Sequence, residues 1–213
     1  MKGAPGGGPL GPGRVVVLAG PSGSGKSRLA DRLSSRFDWP VVRLDDFYRP
    51  HDHPDLPRSE ALGGIVDWDD PRSWDGEAAL TSLAELVATG TARMPVYDLS
   101  TSSVVGDRVL SLPPASLVVA EGIFAAEVVP ELRDTGLLHS AWCVRHHRVV
   151  TFVLRLVRDV AEHRKPWPTL VRRGLVLLRE EPAVVARQVA AGARPASPRT
   201  VERLLGAASP RGR

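Results

Sequence analysis

The chain has 213 residues, enough for one domain with a proper core, and 43% of them are hydrophobic, as suits a soluble globular protein. The net charge of +4 comes almost entirely from arginine, since the lysines are Lys2, Lys26 and Lys165 alone, and no dense basic run is interleaved with aromatics, which argues against nucleic-acid binding. Cys143 is the single cysteine, no apolar run approaches membrane-spanning length, and the N-terminus lacks a signal peptide's apolar core, so the expectation is a cytoplasmic protein without membrane contact.

Residues 1–13 are rich in Gly and Pro and read as disordered. The domain is expected over 14–206, with 207–213 loose again. Val15–Ala19 is a short apolar β-branched run, as a buried strand should be. Ser27 to Arg36 has Leu29, Ala30 and Leu33 at helical spacing. Val41 to Leu44 reads as a second strand, running out into Asp45-Asp46-Phe47-Tyr48, and the proline-rich stretch Arg49 to Pro57 must be loop. Asp75 to Thr89 is a helix with Ala79, Leu83, Leu86 and Val87 on one face, and Met94–Asp98 is short and extended. Leu117–Glu121 is a strong strand and Ser140–Val144 a candidate fourth. Val150 to His163 reads as a long helix, followed by a mostly helical, Arg-rich tail. Strands alternating with helices predict an α/β fold with a mostly parallel sheet, whose functional groups gather beyond the carboxyl ends of the strands.

Between the first strand and the first helix stands Gly20-Pro21-Ser22-Gly23-Ser24-Gly25-Lys26-Ser27, the G-x-x-x-x-G-K-S pattern of a phosphate-binding loop. Its glycines let backbone N–H groups point at phosphate oxygens, and the helix that follows adds its own N–H groups and dipole. Lys26 brings a point charge to the β/γ-phosphates and is expected to face ligand rather than pack, while the Ser27 hydroxyl can ligate Mg²⁺. Asp45, where the second strand runs out, can accept a proton from a substrate hydroxyl, or can serve as an ordinary helix cap or turn residue. Glu121, at the end of the third strand, can hold Mg²⁺ directly or through water.

Five motifs in series resemble the uridine kinase family, which groups with phosphoribulokinase and pantothenate kinase. They are the glycine loop, Leu44-Asp45-Asp46-Phe47-Tyr48, the Trp68–Asp75 stretch, Pro95-Val96-Tyr97-Asp98, and Val119-Ala120-Glu121-Gly122-Ile123. The match runs from about Arg14 to Lys165. The resemblance implies a three-layer fold of the P-loop NTPase type with a helical lid. It also implies ATP-dependent phosphorylation of a small-molecule hydroxyl, most typically the 5′-hydroxyl of a nucleoside such as uridine or cytidine. It carries over Asp45 as the base, Lys26 at the transferring phosphate, and Ser27 and Glu121 as the Mg²⁺ residues. Asp69 would meet ribose hydroxyls and Tyr97 would line the acceptor pocket. Arg155 and Arg158 match the family's R-x-x-R-D lid helix and share a helix face, with a solvated arginine face as the alternative.

The chain also departs from that family. Pyrimidine nucleoside kinases carry a histidine and then an arginine after P-x-Y-D, where this chain has Ser102 and Val104. His163 and Lys165 stand where arginines are usual, and the residues after Pro166 have no clear counterpart. His51, Asp52 and His53 read as loop rather than metal site, Cys143 as a core residue, and Trp68 and Trp74 as either ring platforms or anchors. The rival from another class is an ATP-binding regulator without turnover, against which Asp45 argues because binding needs no base. A GTPase is disfavoured by the lack of an N-K-x-D motif. A homo-oligomer stays open.

Overall fold

The computed structural model describes residues 14–59, 64–145 and 181–208. The chain enters through β1 (Val15–Ala19), every residue of which is buried, then turns through the glycine loop into α1 (Lys26–Phe37). β2 (Val41–Arg43) is followed at once by a 3₁₀ turn, Leu44–Phe47, so Leu44 opens that turn instead of ending the strand. β3 (Arg58–Ser59) and β4 (Ile65–Val66) form a small antiparallel pair. α2 (Gly76–Thr89) is capped by Asp75, whose side chain accepts the Ala78 N–H at 3.0 Å, and ends on left-handed Gly90.

β5 (Thr91–Asp98) is longer than the extended run read from sequence and pairs antiparallel with β6 (Ser103–Ser111), a strand the sequence reading did not find. Then come β7 (Val118–Glu121), the short helix α3 (Val129–Asp134) and β8 (Leu138–Val144). Helical residues 181–190 (α4) lead to β9 (Arg194–Ala196) and α5 (Pro198–Ala208). The described part of the tail, 181–208, is therefore two helices split by a strand, and α5 runs past the expected domain end at 206. The lid segment 150–163, with Arg155 and Arg158, lies outside the described residues, as do His146, His147, His163 and Lys165.

The main sheet has the order β2-β7-β1-β8-β9, and each of its pairings is parallel. Alternation along β1 builds the layers. Val15, Val17 and Ala19 join a core with Leu83 and Leu86 of α2 and Val129 and Leu132 of α3. Val16 and Leu18 join the other core, with Leu29 and Leu33 of α1 and Val201 and Leu205 of α5. A period of two along a strand thus buries both sheet faces under helices, as parallel sheets require. Register then sets the site: Glu121 on β7 lies level with Leu18 on β1 and Arg43 on β2. The loop after β1, the turn after β2 and the end of β7 emerge on one sheet edge.

Candidate active site

The glycine loop is shaped by close contact with the sheet. Gly20 has φ of +148°, and a Cβ there would collide with the Val144 carbonyl oxygen at the end of β8, so no side chain is tolerated. Pro21–Gly25 turns tightly, with the Ser24 N–H donating to the Pro21 carbonyl at 3.1 Å, and Ser22 and Gly23 half-buried on its rim. Gly25 caps α1 in the left-handed region; no side chain caps this terminus and no acid stands in its first turn. Such a helix start leaves N–H groups and a positive dipole end for an anion.

Two further details fit a polyphosphate ligand. Ser24 Oγ is buried with no hydrogen-bond partner, an orphaned donor inside the loop. Lys26 is buried, contrary to the expectation of an exposed side chain, and its Nζ donates to the carbonyls of Gly20 at 2.9 Å and Pro21 at 3.2 Å. The ammonium is thereby held within the loop it is meant to serve.

Ser27 Oγ donates to Glu121 Oε2 at 3.2 Å, so the two residues assigned to Mg²⁺ are in contact. Burial pushes the Glu121 carboxyl above its ordinary range; Lys26 opposes that shift and Asp45 adds to it. A hydroxyl beside a buried carboxylate is an oxygen-only donor set that suits a hard divalent cation. Asp45 stands in the 3₁₀ turn after β2, where its Oδ1 accepts the Ile123 N–H at 3.0 Å. A Cβ on Gly122 would lie 2.8 Å from that same oxygen and 3.0 Å from Leu44 Cβ, so Gly122 is what lets the end of β7 approach the turn. The motif reading assigns no role to Gly122 or Ile123; a glycine directly after a strand-end acid is the sequence signal for this approach.

Beyond Asp45 lies an aromatic cluster. Tyr48 packs against Trp68, Tyr97 and Phe124, with ring centroids 5.8, 5.9 and 5.9 Å away. Its phenol is pushed above the usual range by burial first, then by the Asp45 and Asp69 carboxylates and by Tyr97. Tyr48, to which the sequence reading assigns no role, thus feels both the Asp45 and Asp69 carboxylates and packs on the Tyr97 ring. Asp69 is exposed, its N–H donating to Asp67 Oδ1 at 3.1 Å. Tyr97 is nearly buried and its hydroxyl donates to the Arg49 carbonyl at 3.2 Å, so it offers its ring more than its phenol. Trp74 Nε1 donates to the Leu44 carbonyl at 2.7 Å, making it an anchor; Trp68 stays half-buried beside Tyr48.

Asp46 points the other way. Its Oδ1 accepts the Tyr97 N–H at 3.5 Å and its Oδ2 lies 3.5 Å from Arg108 Nη2, so it braces the β5–β6 hairpin. Ser102 sits at the hairpin turn with φ of +49°, its carbonyl accepting the His51 N–H at 2.9 Å, and Val104 is half exposed opposite Tyr97. Neither offers a base edge the donors that a histidine and an arginine would. Among the described residues no group of acidic, His and Cys side chains forms a metal cluster, and His53 Nε2 lies 3.1 Å from Arg49 Nη1 instead. Cys143 is fully buried, its Sγ donating to Gln188 Oε1 at 3.3 Å. No described helix is long and apolar enough to cross a membrane.

A glycine loop after the central strand of a parallel sheet, faced by acids from the ends of β7 beside it and β2 one strand further out, defines an α/β protein of the P-loop kinase class. Residues 15–165 match the model of the Phosphoribulokinase / Uridine kinase family, and the chain belongs to that family of kinases. It is 27% identical over 168 residues to a uridine kinase of Macrococcus caseolyticus (strain JCSC5402), covering 78% of each chain. It is 34% identical over 154 residues to the inorganic pyrophosphatase TTM2 of Arabidopsis thaliana, covering 68% of this chain and 20% of that protein. Its fold is similar to the crystal structure of a candidate fructose transport system kinase from Silicibacter sp. TM1040, with a TM-score of 0.64 and 21% identity, covering 89% of this chain and 90% of that one.

Proposed function

We propose that the protein transfers the γ-phosphate of ATP to a hydroxyl of a small molecule, with the 5′-hydroxyl of uridine or cytidine as the leading acceptor. The observation that carries this reading is that the Lys26 phosphate loop, the Ser27–Glu121 oxygen pair and the Asp45 carboxylate share one sheet edge. The loop Gly20–Ser27 would hold the phosphates through its N–H groups and Ser24 Oγ. Ser27 and Glu121 would hold Mg²⁺, which when bound offsets charge on the β- and γ-phosphates.

Asp45 takes the proton from the attacking hydroxyl, its free oxygen being left for that task while Oδ1 is fixed by Ile123. Lys26 meets charge that develops on the transferring group. Asp69 supplies an exposed carboxylate for polyol hydroxyls, and Tyr48 and Tyr97 supply aromatic walls. Arg155 and Arg158 are assigned to the closing lid by their place in the sequence motif.

A second reading, a kinase for a non-nucleoside polyol, is favoured by Ser102 and Val104. An ATP-binding regulator would need neither Asp45 nor its fixed geometry. Turnover with uridine, cytidine, purine nucleosides, ribose derivatives and pantothenate, compared side by side, separates the three. Transfer to uridine supports the leading reading, transfer only to a non-nucleoside supports the second, and ATP binding without transfer to any hydroxyl supports the regulator.

A further inference from the structure

α1 and α5 pack side by side through Leu29, Leu33, Phe37, Val201 and Leu205, and above this contact lies an open cleft. Its volume is about 420 Å³, and it is lined by Arg36 of α1 and by Arg199, Glu202, Arg203, Gly206 and Ala207 of α5. The α5 residues 199, 202, 203 and 206 follow helical spacing, so they form one face. Glu202 is the single carboxylate of the lining, and it is already engaged: Oε2 lies 2.9 Å from Arg32 Nε and Oε1 lies 3.8 Å from Arg36 Nη1. Arg199 and Arg203 have no ion pair or hydrogen bond among the described residues.

Their positions are unfavourable for a merely solvated face. Arg199 stands in the first turn of α5, which contains no acid, where the helix dipole disfavours a cation. Arg199 and Arg203 are one turn apart and repel each other. Both costs disappear when an anion sits between them. The cleft also has a prepared floor. The Arg36 guanidinium lies over the Phe37 ring at 5.1 Å, and Gly206 faces the same ring, where a Cβ would make ordinary contact at 3.4 Å. Planar guanidinium forks match phosphate oxygens in pairs, and a cleft of this volume takes a compact ligand.

We propose that this α1–α5 cleft is a second anion site, which binds a small phosphorylated molecule through Arg36, Arg199 and Arg203. Its Arg36 end is remote from the glycine loop: Lys26 and Arg36 lie at opposite ends of α1, about 15 Å apart along its axis. A ligand there bridges the helix that carries Lys26 and Ser27 to the last helix of the described fold.

The test is site-resolved. Inorganic pyrophosphate is titrated into the full chain while the backbone amide resonances of Gly206 and Ala207 are followed by NMR. Saturable shifts are expected in the wild type and equally in Lys26→Ala, because the glycine loop is not the site being read. In Arg199→Glu with Arg203→Glu the midpoint should move about tenfold or more to higher concentration. Should that reversal unfold α5, Arg199→Gln with Arg203→Gln reads the same loss. Parallel titrations with UTP and glucose 6-phosphate show whether a nucleotide or a sugar phosphate binds more tightly than pyrophosphate alone. Absence of saturable shifts for all three, or equal midpoints in wild type and the arginine variants, overturns the proposal. Kinase turnover of the arginine variants without added effector should match wild type, so failure here and failure of the kinase reading show in different assays.

Discussion

Ser27 Oγ and Glu121 Oε2 are joined by a 3.2 Å hydrogen bond that ties the first turn of α1 to the end of β7. The pair joins a helix start to a strand end at one sheet edge, and under the proposed function a divalent cation would take the place of this hydrogen bond. Glu121→Gln keeps the shape but gives up the anionic oxygen. Turnover at fixed Mg²⁺ should fall about 10- to 100-fold, with partial recovery as Mg²⁺ is raised. Wild-type turnover and an unchanged Mg²⁺ requirement would return Glu121 to a plain strand-end charge.

Gly122 is the backbone counterpart of Asp45. Gly122→Ala places a methyl 2.8 Å from Asp45 Oδ1 and 3.0 Å from Leu44 Cβ, so the turn after β2 must shift. A displaced base costs rate more than it costs nucleotide binding, and kcat should fall about 100-fold for a displacement near 1 Å. Equal fluorescence-detected ATP affinity with reduced kcat is the expected signature. Unchanged kcat would mean that the turn accommodates the methyl and that Gly122 does not position Asp45.

Lys26 makes a structural contact within its own loop that sequence alone did not reveal. Its Nζ binds the carbonyls of Gly20 and Pro21, so Lys26→Ala removes the loop's internal brace as well as its charge. Turnover should drop about 100-fold or more, and the melting temperature without nucleotide should fall by a few degrees, about 1 kcal/mol for each lost hydrogen bond at most. Loss of turnover with an unaltered melting curve would show that the two hydrogen bonds contribute nothing to the folded state.

The convergence of the candidate site residues on one sheet edge was legible in the sequence, and the reason is topological. β1, β2 and β7 are apolar runs that lead into the candidate residues, and a parallel sheet brings such ends together without any further information. What was missed has the opposite character. β6 carries Gly106, Asp107 and Arg108 in its middle and is mostly exposed, since among the described residues it pairs only with β5, so it shows no apolar alternation. β9 has Pro195 at its centre, tolerated because the strand lies at the sheet edge, and its flanks are helical, so a continuous helix was the simpler reading. The brace from Asp46 to Tyr97 and the approach of Gly122 to Asp45 are contacts between residues distant in sequence, which no local pattern records.

Acceptor choice should be adjustable at the hairpin turn. Ser102 has φ of +49°, a left-handed conformation that histidine adopts more readily than most side chains, and Val104 shares the face of Tyr97. Ser102→His with Val104→Arg should therefore fold, and should raise kcat/KM for uridine about tenfold or more relative to a polyol acceptor. An unchanged ratio would show that another group already reads the base. His51 is the nearest candidate, with Nδ1 3.4 Å from the Ser102 carbonyl oxygen, and His51→Ala would then lower uridine efficiency selectively.

The most direct measurement is transfer of labelled γ-phosphate from ATP with Mg²⁺ to a panel of hydroxyl acceptors, run in parallel with wild type and Asp45→Asn. The Asn side chain keeps the oxygen that accepts the Ile123 N–H and removes the base. Wild type should label at least one acceptor, and Asp45→Asn should do so roughly 100-fold or more slowly while binding ATP with Mg²⁺ nearly as well. Equal rates in the two proteins, or ATP binding by wild type with no labelled acceptor across the panel, would contradict a kinase in which Asp45 is the base.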